Sequence, residues 1–186
     1  ELGYRAPQLL QQALDRHAGP AEGATKVDIL DAGAGTGWCG PFLRPRARTL
    51  VGVDLSSGML EKARARGSYD ELVVMELCEF MRGRPATFDV VLSADTLCYF
   101  GALEEAMAGA RDCLRPGGLL GFTVERWDSA NPDHRFHMAP HGRYLHAEAY
   151  VAAVLRDSGF ELLELTRAVL RVELGADVNG LVVVAR

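Results

Sequence analysis

Short apolar runs recur along the chain, separated by stretches that have the spacing of amphipathic helices. Each run is six to eight residues long and rich in Val, Ile, Leu or Phe. Runs of this length are typical of strands in a parallel sheet that is covered on both faces. They predict five strands, at residues 26–31, 48–54, 71–76, 88–93 and 118–125.

Two of the intervening stretches carry apolar residues on one helical face. Leu103, Met107 and Leu114 belong to the first, which Pro116 and the two glycines after it should end. The second covers residues 147–155. Strand, helix and strand repeated in this way imply right-handed crossovers, so the fold class predicted is a doubly wound, mostly parallel α/β sheet.

The C-terminal part breaks this alternation. Residues 160–173 and 178–185 are both β-rich, and only residues 174–177 separate them. Because so short a connection cannot hold a crossover helix, the two segments should pair as an antiparallel hairpin.

Composition and charge narrow the class of protein. The 186 residues suffice for one hydrophobic core, so we expect a single domain over residues 1–186. The net charge of −5 disfavours a nucleic-acid partner, because phosphate binding needs clustered Lys and Arg. No apolar run approaches the roughly 20 residues that span a bilayer, so no membrane partner is expected.

The four cysteines form no C-x-x-C pair, which favours reduced thiols in a cytoplasmic protein. Since the first residue is Glu1 and not Met, we expect a fragment that lacks upstream sequence.

The most informative segment is the glycine loop after the first predicted strand, residues 29–37, Ile-Leu-Asp-Ala-Gly-Ala-Gly-Thr-Gly. Glycine permits a sharp turn and lets a ligand approach the backbone. The loop lies at the carboxyl edge of the predicted sheet, where doubly wound folds bind ligands. Its glycines, Gly33, Gly35 and Gly37, do not have the G-x-G-x-x-G spacing of a dinucleotide site. Asp31 would repel a pyrophosphate but suits a ligand with an ammonium group, so it is a candidate binding residue.

The second predicted strand ends in a carboxylate, that of Asp54. A carboxylate at this position can accept hydrogen bonds from both hydroxyls of a ribose. Ser56 follows as a natural N-cap of the next helix. Together with the glycine loop, Asp54 predicts a site for a ligand that contains ribose.

In order and spacing, these segments resemble the class I S-adenosylmethionine-dependent methyltransferases. Residues 29–37 are similar to that family's first motif and residues 52–60 to its second. Residues 88–95 resemble the fourth motif, and residues 114–118 the turn before the fifth strand. The match covers residues 27–124 and implies a seven-stranded sheet that ends in the antiparallel hairpin. The chain also resembles the methyltransferase domain that follows tetratricopeptide repeats in some bacterial proteins.

The resemblance implies S-adenosylmethionine as cofactor, S-adenosylhomocysteine as product, and in-line methyl transfer to a small-molecule acceptor. It implies that Gly33, Gly35 and Gly37 line the methionine and ribose part of the cofactor, and that Asp54 holds the ribose hydroxyls. The other contacts that it implies are Leu55 and Met59 against the adenine, Glu76 and Leu77 near its amino group, and Ser93, Ala94 and Asp95 beside the methionine end. In similar methyltransferases a segment like that around Tyr4 and Arg5 covers the cofactor, so both are candidates for methionine-end contacts.

Residues 127–146 show no regular pattern and are predicted to form a long loop near the cofactor. An imidazole titrates close to neutral pH, so His137 and His141 are candidate general bases, and Tyr144 is a third candidate catalytic residue. Arg143 and Tyr144 would suit an acceptor that carries a carboxylate or phosphate. For any single histidine, a surface position without a catalytic role is the alternative. No metal site is predicted, because no carboxylate or Cys joins the histidines at ligand spacing.

Two other functions stay open beside methylation of a small molecule. One is methylation of a protein, which predicts a basic or aromatic surface around the pocket. The other is an inactive, regulatory module that binds S-adenosylmethionine. This second alternative predicts loss of the loop glycines or of the ribose carboxylate, and the sequence keeps both.

Overall fold

The computed structural model describes residues 3–19, 21, 23, 25–131 and 133–186. Glu1, on which the expectation of a fragment rests, lies outside these residues. The α-helices of the described part are α1 (Ala6–Ala18), α2 (Gly40–Leu43), α3 (Ser57–Ala65), α4 (Leu77–Arg82), α5 (Glu104–Cys113) and α6 (Glu148–Asp157), and a 3₁₀ turn spans Leu97–Tyr99. No helix in these ranges is long and apolar enough to cross a bilayer.

The described strands form one sheet. They are β1 (Val27–Ala32), β2 (Ala47–Asp54), β3 (Glu71–Val74), β4 (Phe88–Ser93), β5 (Leu114–Arg126), β6 (Phe136–Met138), β7 (Tyr144–His146), β8 (Leu162–Glu173) and β9 (Ala176–Ala185). Five of them run parallel in the order β3-β2-β1-β4-β5, while β9 pairs antiparallel with β5 and β8 antiparallel with β9. The predicted doubly wound sheet and its terminal hairpin are confirmed.

Several predicted boundaries were wrong. The third strand ends at Val74 and not at residue 76, because Glu76 caps the next helix. The fifth strand already begins at Leu114, so α5 ends before the Pro-Gly-Gly segment that was expected to stop it.

The expectation of an unstructured loop over residues 127–146 was also wrong. Part of it forms the hairpin β6–β7, and β7 pairs in parallel with the end of β5 through Glu125–Leu145 and Arg126–His146. Within the described residues the sheet therefore has nine strands, two short ones beyond the seven expected. Strands of three residues are too short to show an alternating pattern in sequence.

Apolar layers cover both faces of the sheet. Ile29 and Leu50 pack in the cluster that includes the buried face of α1. Their neighbours Leu30 and Val51 point to the opposite side, into the cluster formed with α4, α5 and α6. This alternation follows from the two-residue period of a strand. Continuous apolar runs are needed because neither face is exposed to water.

The order of the strands reverses between β1 and β4. The chain leaves β1 toward β2 on one side, and it returns to β4 on the other side of β1. Loops that follow two such strands diverge, which opens a crevice at the carboxyl edge of the sheet.

Candidate functional site

A cavity of about 1190 Å³ opens at this edge, at the carboxyl ends of β1 to β4. One part of its lining, here named the glycine-loop wall, consists of residues 33–36, 53–56 and 75–77. A second part, named the Asp95 wall, consists of residues 94–96, 99, 100 and 171. The remaining lining residues are 3–5, 7, 8, 38, 39, 42 and 59.

The glycine loop turns back immediately after β1. Gly33 has a φ of +85°, and a Cβ atom on it would lie 2.1 Å from Oγ1 of Thr96. At Gly35 a Cβ atom would have Sδ of Met59 as its nearest neighbour, at 4.0 Å, so the space there is open. Gly37 packs against α3 and does not line the cavity. Gly33 therefore allows the close packing of the two walls, while Gly35 leaves room for a ligand.

The carboxylate of Asp54 is fixed by two backbone hydrogen bonds. The N–H of Gly35 donates to Oδ2 at 2.9 Å, and the N–H of Ser56 donates to Oδ1 at 2.9 Å. A carboxylate oxygen can accept more than one hydrogen bond, so both oxygens keep the capacity to accept from hydroxyl groups. Asp54 lines the cavity, as a residue that binds ribose must.

Apolar side chains next to Asp54 line the cavity and remain exposed. Leu55 is 72% exposed and Met59 47%. Glu76 and Leu77 lie at the start of α4, where the carboxylate of Glu76 accepts a hydrogen bond from the backbone N–H of Glu79 at 2.8 Å. An exposed apolar surface beside a carboxylate of this kind matches a flat base attached to a ribose.

Two predicted binding residues lie behind the cavity. Asp31 is buried, and the hydroxyl of Tyr69 donates to its Oδ2 at 2.5 Å, while Oδ1 has no hydrogen-bond partner among the described residues. Burial raises the pKa of Asp31 to about 7, against the hydrogen bond from Tyr69, which lowers it. Ser93 is also buried, and its hydroxyl donates to the carbonyl of Ala32 at 2.8 Å. Ser93 thus ties β4 to β1, and neither residue is part of the lining.

The three candidate catalytic residues of the 127–146 segment are not brought to the cavity. His137 is exposed, with its ring 5.4 Å from that of Trp127. His141 places Nε2 3.4 Å from Oε2 of Glu125. Tyr144 is half-buried and packs edge-on to Phe136. None of the three is among the described residues that line the cavity, so their catalytic role remains a prediction without a supporting contact.

The Asp95 wall contains a residue that the sequence analysis missed, Arg171 on β8. This side chain is 9% exposed and lines the cavity. Its Nη1 donates to Oδ2 of Asp95 at 3.0 Å, and Nη2 donates to Oε1 of the buried Glu125. Its Nε donates to Oε2 of Glu173 at 3.1 Å. In sequence, the only signal is a charged residue that interrupts the apolar run Ala-Val-Leu-Arg-Val of β8.

Both N-terminal candidates line the cavity. Tyr4 is half-buried, and burial holds the pKa of its hydroxyl well above the ordinary value, so the hydroxyl stays protonated. Arg5 is exposed, and its backbone N–H donates to the carbonyl of Leu170 at 2.8 Å. This bond fixes the segment before α1 against β8.

Comparison with known proteins identifies related chains. The family model described as "Methyltransferase domain" matches residues 30–122, half of the chain. The malonyl-[acyl-carrier protein] O-methyltransferase of Geobacter sulfurreducens is 35% identical over 108 residues, which cover 56% of this chain and 40% of that protein. Human methyltransferase-like protein 27 is 38% identical over 139 residues, covering 69% of this chain and 51% of that protein. The chain thus spans about half or less of the length of these curated relatives.

Solved structures show the same fold. The 1,6-didemethyltoxoflavin-N1-methyltransferase of Burkholderia thailandensis, solved with 1,6-didemethyltoxoflavin and S-adenosylhomocysteine bound, aligns with a TM-score of 0.74 and 24% identity. The alignment covers 97% of this chain and 77% of that one. An S-adenosylmethionine-dependent methyltransferase from Mesorhizobium loti aligns with a TM-score of 0.68 and 20% identity, covering 95% and 98% of the two chains.

Proposed function

This chain belongs to the class I S-adenosylmethionine-dependent methyltransferase family, and on that premise we propose that it transfers a methyl group from S-adenosylmethionine to a small-molecule acceptor. The observation that carries the proposal is the pairing of Gly35 with Asp54. An open space beside the loop backbone adjoins a carboxylate that the same backbone holds in place. This arrangement matches S-adenosylmethionine, in which a ribose connects the adenine to the methionine part.

The lining residues fit the methyl donor along its length. Leu55 and Met59 provide an apolar surface for the adenine, and Asp54 accepts from the ribose hydroxyls. The buried carboxyl of Asp31 lies behind the loop with one oxygen unpartnered among the described residues, and an ammonium group bound beside the loop would favour its charged form. The guanidinium of Arg5, at the N-terminal side of the cavity, suits the methionine carboxylate.

S-adenosylmethionine, when bound, supplies a methyl group that is already electrophilic. The protein therefore needs mainly to hold the reacting atoms in line and to exclude water. In this chain the glycine-loop wall orients the donor, and the Asp95 wall, with Tyr4, encloses the opposite part of the cavity. The acceptor must enter through the part that the donor leaves free.

The proposal also covers the domain organisation, the partners and the location of the protein. One domain is proposed for residues 1–186. The proposed partners do not include nucleic acid or membrane. A cytoplasmic location is supported by the four cysteines, which are all buried free thiols in this structure.

Calorimetric titration tests the proposal. We expect micromolar binding of S-adenosylmethionine and S-adenosylhomocysteine, no binding of NAD, and loss of binding in Asp54→Ala. The control is Asp157→Ala, which removes an exposed carboxylate at the end of α6. If the folded wild-type protein binds neither ligand, the proposed activity is wrong. If both bind but no acceptor in a panel of amines, phenols and carboxylic acids is methylated, the inactive regulatory module becomes the better account.

A further inference from the structure

The ring of Tyr69, which lies between α3 and β3, fills the space beneath the glycine loop. A Cβ atom on Gly37 would lie 3.2 Å from its Cε2, and one on Gly40 would lie 2.8 Å from the same atom. A Cβ atom on Gly52 would lie 3.1 Å from its Cδ1. The ring therefore packs directly against the backbone at three glycines, where a side chain would crowd it.

Two of these glycines belong to the segments that form the candidate donor site. Gly37 lies two residues after Gly35 in the glycine loop. Gly52 lies two residues before Asp54 on β2. Because one rigid ring packs against both segments, it fixes the spacing between them. Tyr69 thus supports the hydrogen bond from Gly35 to Asp54, although it does not line the cavity itself.

The hydroxyl of Tyr69 reaches the carboxyl of Asp31 beneath the same loop. It donates to Oδ2 at 2.5 Å, and it is the one donor to this carboxyl among the described residues. Burial holds the pKa of the Tyr69 hydroxyl well above its ordinary value, so the hydroxyl keeps its proton. A hydrogen bond of this kind stabilises the charged form of a carboxyl over the neutral form.

The titratable groups that face Asp31 from the surrounding elements are neutral or negative. Cys39, directly before α2, and Tyr4, before α1, stay protonated because burial raises the pKa of each. Burial also raises the pKa of Asp31 to about 7, the hydrogen bond from Tyr69 opposes the rise, and the carboxylate of Asp54 on β2 adds to it. Within the described residues, Tyr69 is therefore the group that supports a charged Asp31.

We infer that Tyr69 is a positioning residue for the methyl donor, whose hydroxyl holds Asp31 ready to lose its proton when the ammonium group of the donor binds beside the glycine loop. The inference rests on the proposed function. Oδ1 of Asp31 is buried, so the ammonium group acts on Asp31 as a nearby charge and not through a direct contact. Its positive charge favours the carboxylate, and the proton of Asp31 passes to water. Donor binding is thereby coupled to the release of one proton.

Two ligands separate this coupling from the rest of donor binding, S-adenosylhomocysteine and 5′-methylthioadenosine. Both carry adenine, ribose and sulfur, but 5′-methylthioadenosine lacks the amino-acid part and so has no ammonium group. We expect the affinity of the wild-type protein for S-adenosylhomocysteine to rise about tenfold from pH 6 to pH 8. The affinity for 5′-methylthioadenosine should change less than about twofold over the same range. Calorimetric titration at each pH measures both affinities.

Tyr69→Phe removes the hydroxyl and keeps the ring against the three glycines. The charged form of Asp31 loses its hydrogen bond, so a larger share of the protein must release a proton before S-adenosylhomocysteine binds. We expect the affinity for this ligand to fall about five- to tenfold at pH 7 and to recover to within about threefold of the wild-type value by pH 8.5. The affinity for 5′-methylthioadenosine should stay within about twofold of the wild-type value. A loss of packing alone would weaken both ligands at every pH.

Tyr150→Phe is the matched control, because it removes another tyrosine hydroxyl that donates to a carboxylate, that of Glu104 at 3.0 Å, away from the cavity. This variant should keep the wild-type pH dependence for both ligands. Asp31→Asn has no titratable group at its position, so it should bind S-adenosylhomocysteine with the same affinity at pH 6 and at pH 8.

Several results would overturn the inference. One is an equal change of affinity for the two ligands between pH 6 and pH 8 in the wild-type protein, whether or not Tyr69→Phe folds. Another is a folded Tyr69→Phe that keeps the wild-type profile, or that loses affinity for both ligands to the same extent at every pH. A wild-type pH dependence that persists in Asp31→Asn would overturn it as well. If the wild-type protein binds neither ligand at any pH, the inference is lost because the proposed function has failed.

Discussion

The glycine-loop wall and the Asp95 wall line the same cavity but are held in place by different forces. The glycine-loop wall is a backbone structure, in which the N–H of Gly35 fixes Asp54 from 19 residues away. The Asp95 wall depends on ion pairs between distant strands, since Asp95 and Arg171 are 76 residues apart. The glycine-loop wall should therefore be disrupted by substitutions that add side-chain atoms, and the Asp95 wall by substitutions that remove a charge. The position of the first wall is thus set by local geometry, and that of the second by electrostatic contacts between distant parts of the chain.

Arg171→Met should have the largest effect, because it leaves the carboxylates of Asp95 and Glu125 in a buried site without their shared partner. We expect the free energy of unfolding to fall by about 3–5 kcal/mol. Denaturant unfolding measures this. Arg82→Met, which breaks the exposed pair with Glu105, is the control and should change the free energy of unfolding far less, because solvent screens an exposed pair. Equal losses in both variants would show that the Asp95 wall does not depend on buried charge.

Gly33→Ala should damage the glycine-loop wall sterically. The new Cβ would lie 2.1 Å from Oγ1 of Thr96 at a positive φ, so we expect a loss of about 2–4 kcal/mol in unfolding free energy and much weaker S-adenosylhomocysteine binding. Gly142→Ala is the control for the φ effect, since that glycine has a φ of +83° with no atom within 4 Å. It should cost about 1 kcal/mol and leave binding unchanged. If the two substitutions lower the free energy of unfolding equally, the close approach of Gly33 and Thr96 does not limit the size of the side chain at this position.

Asp31→Asn should alter the pH dependence of stability. Because the folded pKa of Asp31 is raised to about 7, the folded protein holds a proton that the unfolded chain has released. This stabilises the fold at low pH and is lost as pH rises through 7. Between pH 6 and pH 8 the free energy of unfolding of the ligand-free wild-type protein should fall by roughly 1 kcal/mol because of this group. The Asp31→Asn variant should not show this loss. Denaturant unfolding at both pH values measures the difference, and identical losses in both proteins would contradict it.

His137→Ala should have the smallest effect. The side chain is exposed on β6 and contacts Trp127 outside the cavity. We expect stability to change by less than about 0.5 kcal/mol and the affinity for S-adenosylhomocysteine to stay the same. A marked loss of binding measured by calorimetry would indicate that this histidine contributes to the site, which would weaken the distinction between the two walls.

The two walls also differ in how far they could be predicted from sequence. Gly33, Gly35 and Asp54 lie on two adjacent strand ends, so contiguous motifs with fixed spacing identify them. Arg171 lies on the terminal hairpin, and its contact with Asp95 exists only because β9 pairs β8 to β5. No local pattern encodes such a contact. The fold of the histidine segment was not predicted for a related reason: β7 pairs with the distant β5, and β6 pairs with β7, so neither strand is encoded by a local pattern.

A crystal structure of the protein with S-adenosylhomocysteine bound tests the account most directly. We predict that the ribose hydroxyls lie within about 3 Å of the Asp54 carboxylate, with the adenine against Leu55 and Met59. The sulfur should lie closer to Asp95 than to Asp54. A ligand that occupies the cavity with its ribose away from Asp54, or with its sulfur on the Leu55 side, would contradict the assignment of the two walls.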